Sequence, residues 1–301
     1  MRAHKSCVVF ALSDPRGWYW LYTATALASL WASTPTQKPL VYILHDGTIN
    51  DQARARLTAI ALHFSGQLKF LKVEVGPASR IPNFGRFTVA ASYRLLIPQI
   101  FKDFDRVVYL DSDLVVHGVD LTELLSSEVY DDYPIYAVVD QFVIQGFPKM
   151  REAGIPLPTK GRYVNSGVLL MNLGRLGKVD LLSEFFDWYW RIGSCQNLDQ
   201  DFINVRYDGQ IGELDERFNY LAVVEERRYF QAPQFYWGRV VHYAGKLKPL
   251  DGNIGVGMLP FFAYTALVPE VYQHLGGQKL WHLLPILQDR NSIKRMPIEI
   301  G

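Results

Sequence analysis

Val107-Val108-Tyr109-Leu110-Asp111-Ser112-Asp113 is the stretch on which the reading of this 301-residue chain turns. Its apolar half reads as a buried strand, and that strand ends by delivering two carboxylates. In an open α/β sheet, ligands bind in the crevice outside the carboxyl ends of the strands. Asp-x-Asp alone says little: 19 aspartates in a chain of this length give roughly one such pair by chance, and there are three. Asp103-Phe104-Asp105 precedes the strand and reads as a solvated turn. The pair at 111 and 113 differs because Leu114-Val115-Val116 follows it. Carboxylates between apolar runs are costly unless something pairs with them. The plainer alternative is a strand-ending turn whose Asp side chains bond backbone.

Two distant stretches supply partners: Leu198-Asp199-Gln200-Asp201, and His242-Tyr243-Ala244-Gly245-Lys246-Leu247-Lys248-Pro249. Two carboxylates joined by a histidine make an O,O,N set suited to Mn²⁺ or Mg²⁺. A Gly-spaced lysine beside that histidine suits a diphosphate bridged by the metal. Each piece has a bland reading of its own, namely an acidic first helical turn for 199–201, a packed histidine and a solvated lysine. Together they point to a metal-dependent enzyme with a nucleoside-diphosphate donor.

Outward from Asp111 the chain alternates. Cys7 to Leu12 reads as strand, Trp18 to Ala32 as helix and Leu40 to Leu44 as strand. Asn50 or Asp51 caps a helix to about Phe64, Leu68 to Val75 is strand, and a helix near Val89 to Phe101 precedes the strand ending at Leu110. This alternation is that of βαβ units on a mostly parallel sheet flanked by helices. Asp120-Leu121-Thr122-Glu123 reads as a capping box, Ile135 to Val139 as strand, and Leu176 to Ile192 as a long aromatic-rich helix. Arg162 to Asn172 holds a further apolar run, and after Tyr207 the pattern is irregular. Loops are expected at 76–85 and 141–162, the second bordering the site.

Composition sets limits. Apolar residues at 49% and charged residues at 20% are ordinary for a globular protein, and a formal net charge of +1 gives no field for nucleic acid. Two cysteines, Cys7 and Cys195, exclude a disulfide framework and suit a reducing compartment. Residues 17–37 carry no charge, but interspersed Ser and Thr favour a buried helix over a membrane span. The run Cys7–Leu12 is too short for the core of a signal peptide. In the tail, Trp281 to Ile300, Lys294 and Arg295 are too few cations for a stable anchor, so any membrane contact is peripheral, at the inner face of a cytoplasmic membrane.

The ordered set of pieces resembles glycosyltransferase family 8, which includes glycogenins and bacterial lipopolysaccharide glucosyl- and galactosyltransferases. The pieces are Phe10 to Leu30, Tyr93-Arg94-Leu95, Tyr109 to Asp113, Asn165-Ser166-Gly167-Val168, Asp199-Gln200-Asp201, Arg217-Phe218-Asn219 and His242 to Pro249. The resemblance implies an α/β fold of GT-A type over residues 1–260, with a nucleotide-binding half to about 116, an acceptor half from 117 and a C-terminal extension at 261–301. It implies a UDP-sugar donor, UDP-glucose or UDP-galactose, and Mn²⁺, with Mg²⁺ as substitute. Transfer would retain anomeric configuration, to a saccharide, glycolipid or protein hydroxyl, as in lipopolysaccharide biosynthesis.

Carried over by position, Asp111, Asp113 and His242 would ligate the metal, and Lys248 would neutralise the diphosphate. Gly245 would let backbone approach the phosphates, and Arg94 and Ser112 would help hold the donor. Ala11, Ser13 and Tyr19 would cradle uridine, with Tyr19 stacking on the base. The chain departs from the family after the first strand, where Ser13-Asp14-Pro15-Arg16 stands, and Asp14 is expected to substitute in contacting base or ribose. Leu250 stands where the family commonly has Trp. Asn165 and Ser166 would fix the sugar. Gln200 would lie near the reactive carbon, and Asp199 would bind sugar hydroxyls or act as nucleophile. The favoured route is same-face attack without a covalent intermediate. Two rivals stand beside this reading: a haloacid-dehalogenase-type phosphatase with Asp111 as nucleophile, and a sugar-nucleotide-binding protein without catalysis.

Overall fold

The computed structural model describes residues 5–74, 89–143, 147–152, 154–158, 162–192, 195–222, 233–245, 248–251 and 256–276. Among these residues ten strands form two sheets. β1 (Ser6–Leu12), β2 (Val41–His45), β3 (Leu68–Lys72), β4 (Arg106–Leu110), β6 (Ile135–Ala137), β7 (Val168–Asn172) and β8 (Ile211–Glu213) make a seven-stranded sheet in the order β3-β2-β1-β4-β7-β6-β8. Its pairings are parallel except on the two sides of β7, which runs antiparallel to β4 and β6. β5 (Leu114–His117), β9 (Tyr220–Leu221) and β10 (Arg239–His242) form a small second sheet in the order β5-β10-β9.

The central strands are apolar on both faces because both faces are covered. Val8, Phe10 and Leu12 of β1 belong to one buried cluster with the helices α1 (Trp20–Ser33) and α2 (Asp51–His63). Cys7, Val9 and Ala11 point the other way, into a cluster with the helices Leu181–Ile192 and Asp199–Arg206. The period of two along the strand thus sends alternate residues to separate cores. Burial pushes the Cys7 thiol up to about 12, which fits a packing residue.

Helix α1 explains the uncharged run near the N-terminus. Twelve of its fourteen residues are buried, and its hydroxyls serve the edge of β5. Ser29 Oγ accepts from Val116 N–H at 2.9 Å, Ser33 Oγ donates to Val116 O at 2.7 Å, and Gly118 N–H donates to Ser33 Oγ at 3.0 Å. Serines inside the apolar run therefore satisfy strand groups that would otherwise be buried without partners. Among the described residues no helix is long and apolar enough to cross a membrane.

Four local expectations need correction. The segment read as one helix from Leu176 is broken: Leu173–Leu176 ends at Gly177, whose φ of +68° stops it, and a new helix starts at Leu181 behind Asp180, which accepts from Ser183 N–H. Val89–Leu96 is 3₁₀ rather than α, followed by a single α-turn at Ile97–Ile100 containing Pro98. The box at 120–123 does not form; Asp120 Oδ1 accepts from the amide and hydroxyl of Thr122, while Glu123 pairs with Arg217. Within 141–162, Phe147–Glu152 is a short helix. The loop expected at 76–85 and the tail Trp281 to Ile300 lie outside the described residues.

Candidate active site

Asp111 and Asp113 sit where the chain leaves the large sheet and enters the small one. Asp111 N–H donates to Gly167 O at 2.8 Å, tying it to the start of β7, and Tyr243 N–H donates to Asp113 O at 2.9 Å, tying it to the end of β10. Because β10 runs antiparallel to β5 with His242 opposite Leu114, the imidazole arrives beside the second carboxylate. Nε2 of His242 lies 3.3 Å from Asp113 Oδ1 and 3.7 Å from Asp111 Oδ2. Each of the three residues offers a ligand atom, all within 4.8 Å of one another, so the group can hold a metal ion. Two carboxylate oxygens and one imidazole nitrogen suit a divalent cation such as Mn²⁺ or Mg²⁺. Gly167 forms the adjoining wall. A Cβ there would run into the His242 ring and lie 2.9 Å from Asp111 Oδ2.

Lys248 Nζ pairs with Asp113 and donates to Tyr243 O at 2.5 Å. Burial works against charge on Asp113, but the Lys248 ammonium beside it outweighs that and holds the carboxyl well below its usual range. Gly245 between them has φ +97°. A Cβ at Gly245 would meet nothing within 4 Å, so its requirement for glycine lies in this backbone conformation rather than in crowding.

Arg94 organises the neighbouring carboxylates. It is buried, with Nη2 2.8 Å from Asp111 Oδ1, Nε 3.0 Å from Asp199 Oδ2 and Nη1 2.8 Å from Ser166 Oγ, and it lies over the Tyr109 ring at 4.5 Å. Burial pushes the Asp199 carboxyl up to about 6 against the pull of Arg94. The helix beginning at Asp199 is aimed by Leu198, whose φ of +49° is unusual for a side chain of this size. Asp201 Oδ2 accepts from the amides of Gln196 and Asn197 and so fixes the approach to that turn. Gln200 Oε1 accepts from Ser166 N–H at 3.0 Å.

These groups face one cavity of about 640 Å³, within the range of small-molecule sites. Ala11, Ser13, Tyr19, Arg94, Asp111, Ser112, Asp113, Asn165, Ser166, Asp199, Gln200, His242, Gly245 and Lys248 all line it. Tyr19 is half-buried, with its ring 5.2 Å from that of Tyr22, so it packs and lines the cavity at once. Asp14 is the exception. It is 2% exposed, does not line the cavity, and accepts from the amides of Trp18, Tyr19 and Trp20 at the start of α1. The expected contact with base or ribose is replaced by a capping role, which sets the position of Tyr19.

Three residues beyond those singled out from the sequence bear on the site. Asp140 lines the cavity and accepts from Asn165 Nδ2 at 3.1 Å and Gln200 Nε2 at 3.4 Å. Phe142, also in the lining, follows it within the stretch expected to border the site. Asn219 faces His242 Nδ1 at 2.9 Å; its signal was the Arg217-Phe218-Asn219 motif. Asp140 stands at a β-bridge end with no local pattern to mark it.

A mixed sheet flanked by helices, with an acidic strand end over a polar cleft, is the architecture of the GT-A glycosyltransferases to which the fold is similar. The profile described as Glycosyl transferase family 8 matches residues 7–251, and the chain belongs to that family. It is 26% identical over 241 residues to lipopolysaccharide 1,2-glucosyltransferase of Escherichia coli, covering 77% of this chain and 70% of that one. It is 25% identical over 229 residues to general stress protein A of Bacillus subtilis (strain 168), covering 71% and 77%. The galactosyltransferase LgtC, solved in complex with donor and acceptor sugar analogs, superposes with a TM-score of 0.71 at 25% identity, over 87% of this chain and 95% of LgtC. Family membership sets aside the phosphatase reading of Asp111.

Proposed function

We propose that this chain transfers a hexose from a UDP-sugar to a hydroxyl of a saccharide, glycolipid or protein, with retention of anomeric configuration and with Mn²⁺, or Mg²⁺ in its place, held by Asp111, Asp113 and His242. One observation carries the reading: an O,O,N ligand set, a lysine and a cluster of sugar-type hydrogen-bonding groups line the same cavity. When bound, the cation offsets charge developing on the departing diphosphate. Lys248 exchanges Asp113 for the phosphate oxygens and neutralises them, while Gly245 lets the backbone turn there. Ala11, Ser13, Ser112 and Tyr19 receive the uridine.

At the sugar, Asn165, Ser166, Asp140 and Asp199 bind hydroxyls, and Arg94 keeps Ser166 and Asp199 in register. Asp199 Oδ2 is shared between Arg94 and Ser166, which supports a binding role over a nucleophilic one. Gln200 presents a carbonyl already polarised by Ser166 N–H to an oxocarbenium-like centre. The acceptor then attacks from the face the diphosphate leaves, its proton passing to the leaving oxygen. The names of the E. coli glucosyltransferase and of the galactosyltransferase LgtC support glucose or galactose as the sugar transferred, and the first supports a lipopolysaccharide saccharide as acceptor. Two unpaired thiols fit a cytoplasmic enzyme.

The test is a screen of UDP-sugars for Mn²⁺-dependent release of UDP, with and without acceptor saccharides. The reading expects turnover with UDP-glucose or UDP-galactose, abolished by EDTA and by Asp113→Ala in a folded variant. Tight UDP binding with no release from any donor would instead make the chain a non-catalytic binder.

A further inference from the structure

We propose that Asn219 is a positioning residue: it holds His242 in the one neutral tautomer that leaves Nε2 free toward the two carboxylates. The inference rests on the reading that His242 ligates the cation, and it concerns how the imidazole is prepared for that.

The polarity of the hydrogen bonds around Asn219 follows from a fixed starting point. Gly167 N–H can only donate, and it donates to Asn165 Oδ1 at 2.9 Å. The other end of that amide, Nδ2, donates to the Asp140 carboxylate at 3.1 Å, so both atoms of Asn165 are assigned. Asn165 Oδ1 also receives Nδ2 of Asn219 at 2.9 Å. The oxygen of Asn219 must therefore be the atom facing His242, 2.9 Å from Nδ1. An amide oxygen accepts only, so Nδ1 must carry the proton. A neutral imidazole protonated on Nδ1 has its lone pair on Nε2, the nitrogen that points at Asp113 and Asp111.

The chain is buried at each station. Asn165 and Asn219 are 6% and 2% exposed, and His242 is 3% exposed. Asn219 immediately precedes β9, which pairs with β10 so that Leu221 lies opposite His242. The ring of His242 lies against Gly167, where even a methyl group would not fit. No water is needed to complete the set, and no rotation of one amide is possible without breaking the bond to the next. Such outer partners orient a metal-binding histidine and commonly change metal affinity about 10–100-fold when removed.

The test uses the full chain labelled with ¹⁵N-histidine, free of metal and at a mildly alkaline pH, with His242→Gln to identify the resonance. The expected spectrum has the proton on Nδ1 in the wild type and in Asn219→Asp, which keeps the acceptor. In Asn219→Leu it becomes a mixture, with Mn²⁺ affinity by calorimetry down about 10–100-fold. Should the leucine variant fail to fold, the wild-type tautomer and the aspartate variant decide. A proton on Nε2 in the wild type, or an unchanged tautomer in the leucine variant, overturns the inference. If Nδ1 is protonated but Mn²⁺ leaves the His242 signals unbroadened, the metal assignment falls while control of the tautomer by Asn219 stands.

Discussion

Replacing Gly167 by alanine places a methyl group in the space of the His242 ring, 2.7 Å from Nδ1, and 2.9 Å from Asp111 Oδ2. Ordinary contact begins at 3.4 Å, and Cε1 of the ring lies nearer the methyl group than Nδ1 does, so the ring must retreat by more than about 1 Å. The ring has nowhere easy to go, since its Nδ1 is held by Asn219 and it is 3% exposed. Overpacking of this kind costs about 1–3 kcal/mol. Displacement of a catalytic group by about 1 Å costs up to roughly 100-fold in rate. We therefore expect Gly167→Ala to lose about 1–3 kcal/mol of stability in urea titrations and 10–100-fold in Mn²⁺-dependent turnover. The assay that isolates the cause is a double-mutant cycle with His242→Ala, in which the stability penalty of the methyl group should largely vanish. An equal penalty in both backgrounds, or wild-type turnover in Gly167→Ala, would refute the assignment of the clash to the imidazole.

Lys248→Ala removes the ammonium that now pairs with Asp113. Turnover should fall by about 100-fold or more, while calorimetry shows affinity for Mn²⁺ alone undiminished, because a competing cation has gone. A weakened metal site would instead make Lys248 part of its support. His117 is 6% exposed, and burial lowers its pKa from 6.5 to about 4. The unfolded chain takes up a proton that the native chain refuses, so this contribution is full above pH 6.5 and is lost as pH falls to about 4. The loss is about 3 kcal/mol, and His117→Gln should flatten the stability profile across that window. Arg106 is 1% exposed and bonds Asn172, Leu124, Ser127 and Asp131. Arg106→Ala should cost about 3–5 kcal/mol in urea titrations by leaving those acceptors without partners, with turnover per folded molecule unchanged.

Much of the fold was legible because its signals are local. Apolar runs at 7–12, 40–44 and 107–110, each ended by turn residues, can only be buried strands, and Asp111 to Asp113 marks the carboxyl end of one of them. The single helix expected over 176–192 does not form because one glycine at positive φ, Gly177, outweighs a strong aromatic periodicity. The small sheet was not legible at all. β5, β9 and β10 are two to four residues long, and β5 pairs with β10 across more than a hundred positions of sequence, which no local pattern encodes. It is nevertheless the element that carries His242 to Asp113. The juxtaposition of Asp111, Asp113 and His242 could be anticipated from the family motif, whereas the hydrogen bonds of Asp140 and Asn219 are visible only in three dimensions. Asp14 shows the converse: a carboxylate in the right stretch of sequence that the fold uses for helix capping.

The account stands on one divalent cation shared by Asp111, Asp113 and His242. The most direct measurement is a crystal structure of the chain grown with manganese and UDP, with anomalous scattering at the manganese edge. The account predicts one strong peak bonded to both carboxylates, to Nε2 of His242 and to the diphosphate, with Lys248 moved from Asp113 onto a phosphate oxygen. UDP bound without manganese at those three side chains, or manganese bound elsewhere, would contradict it.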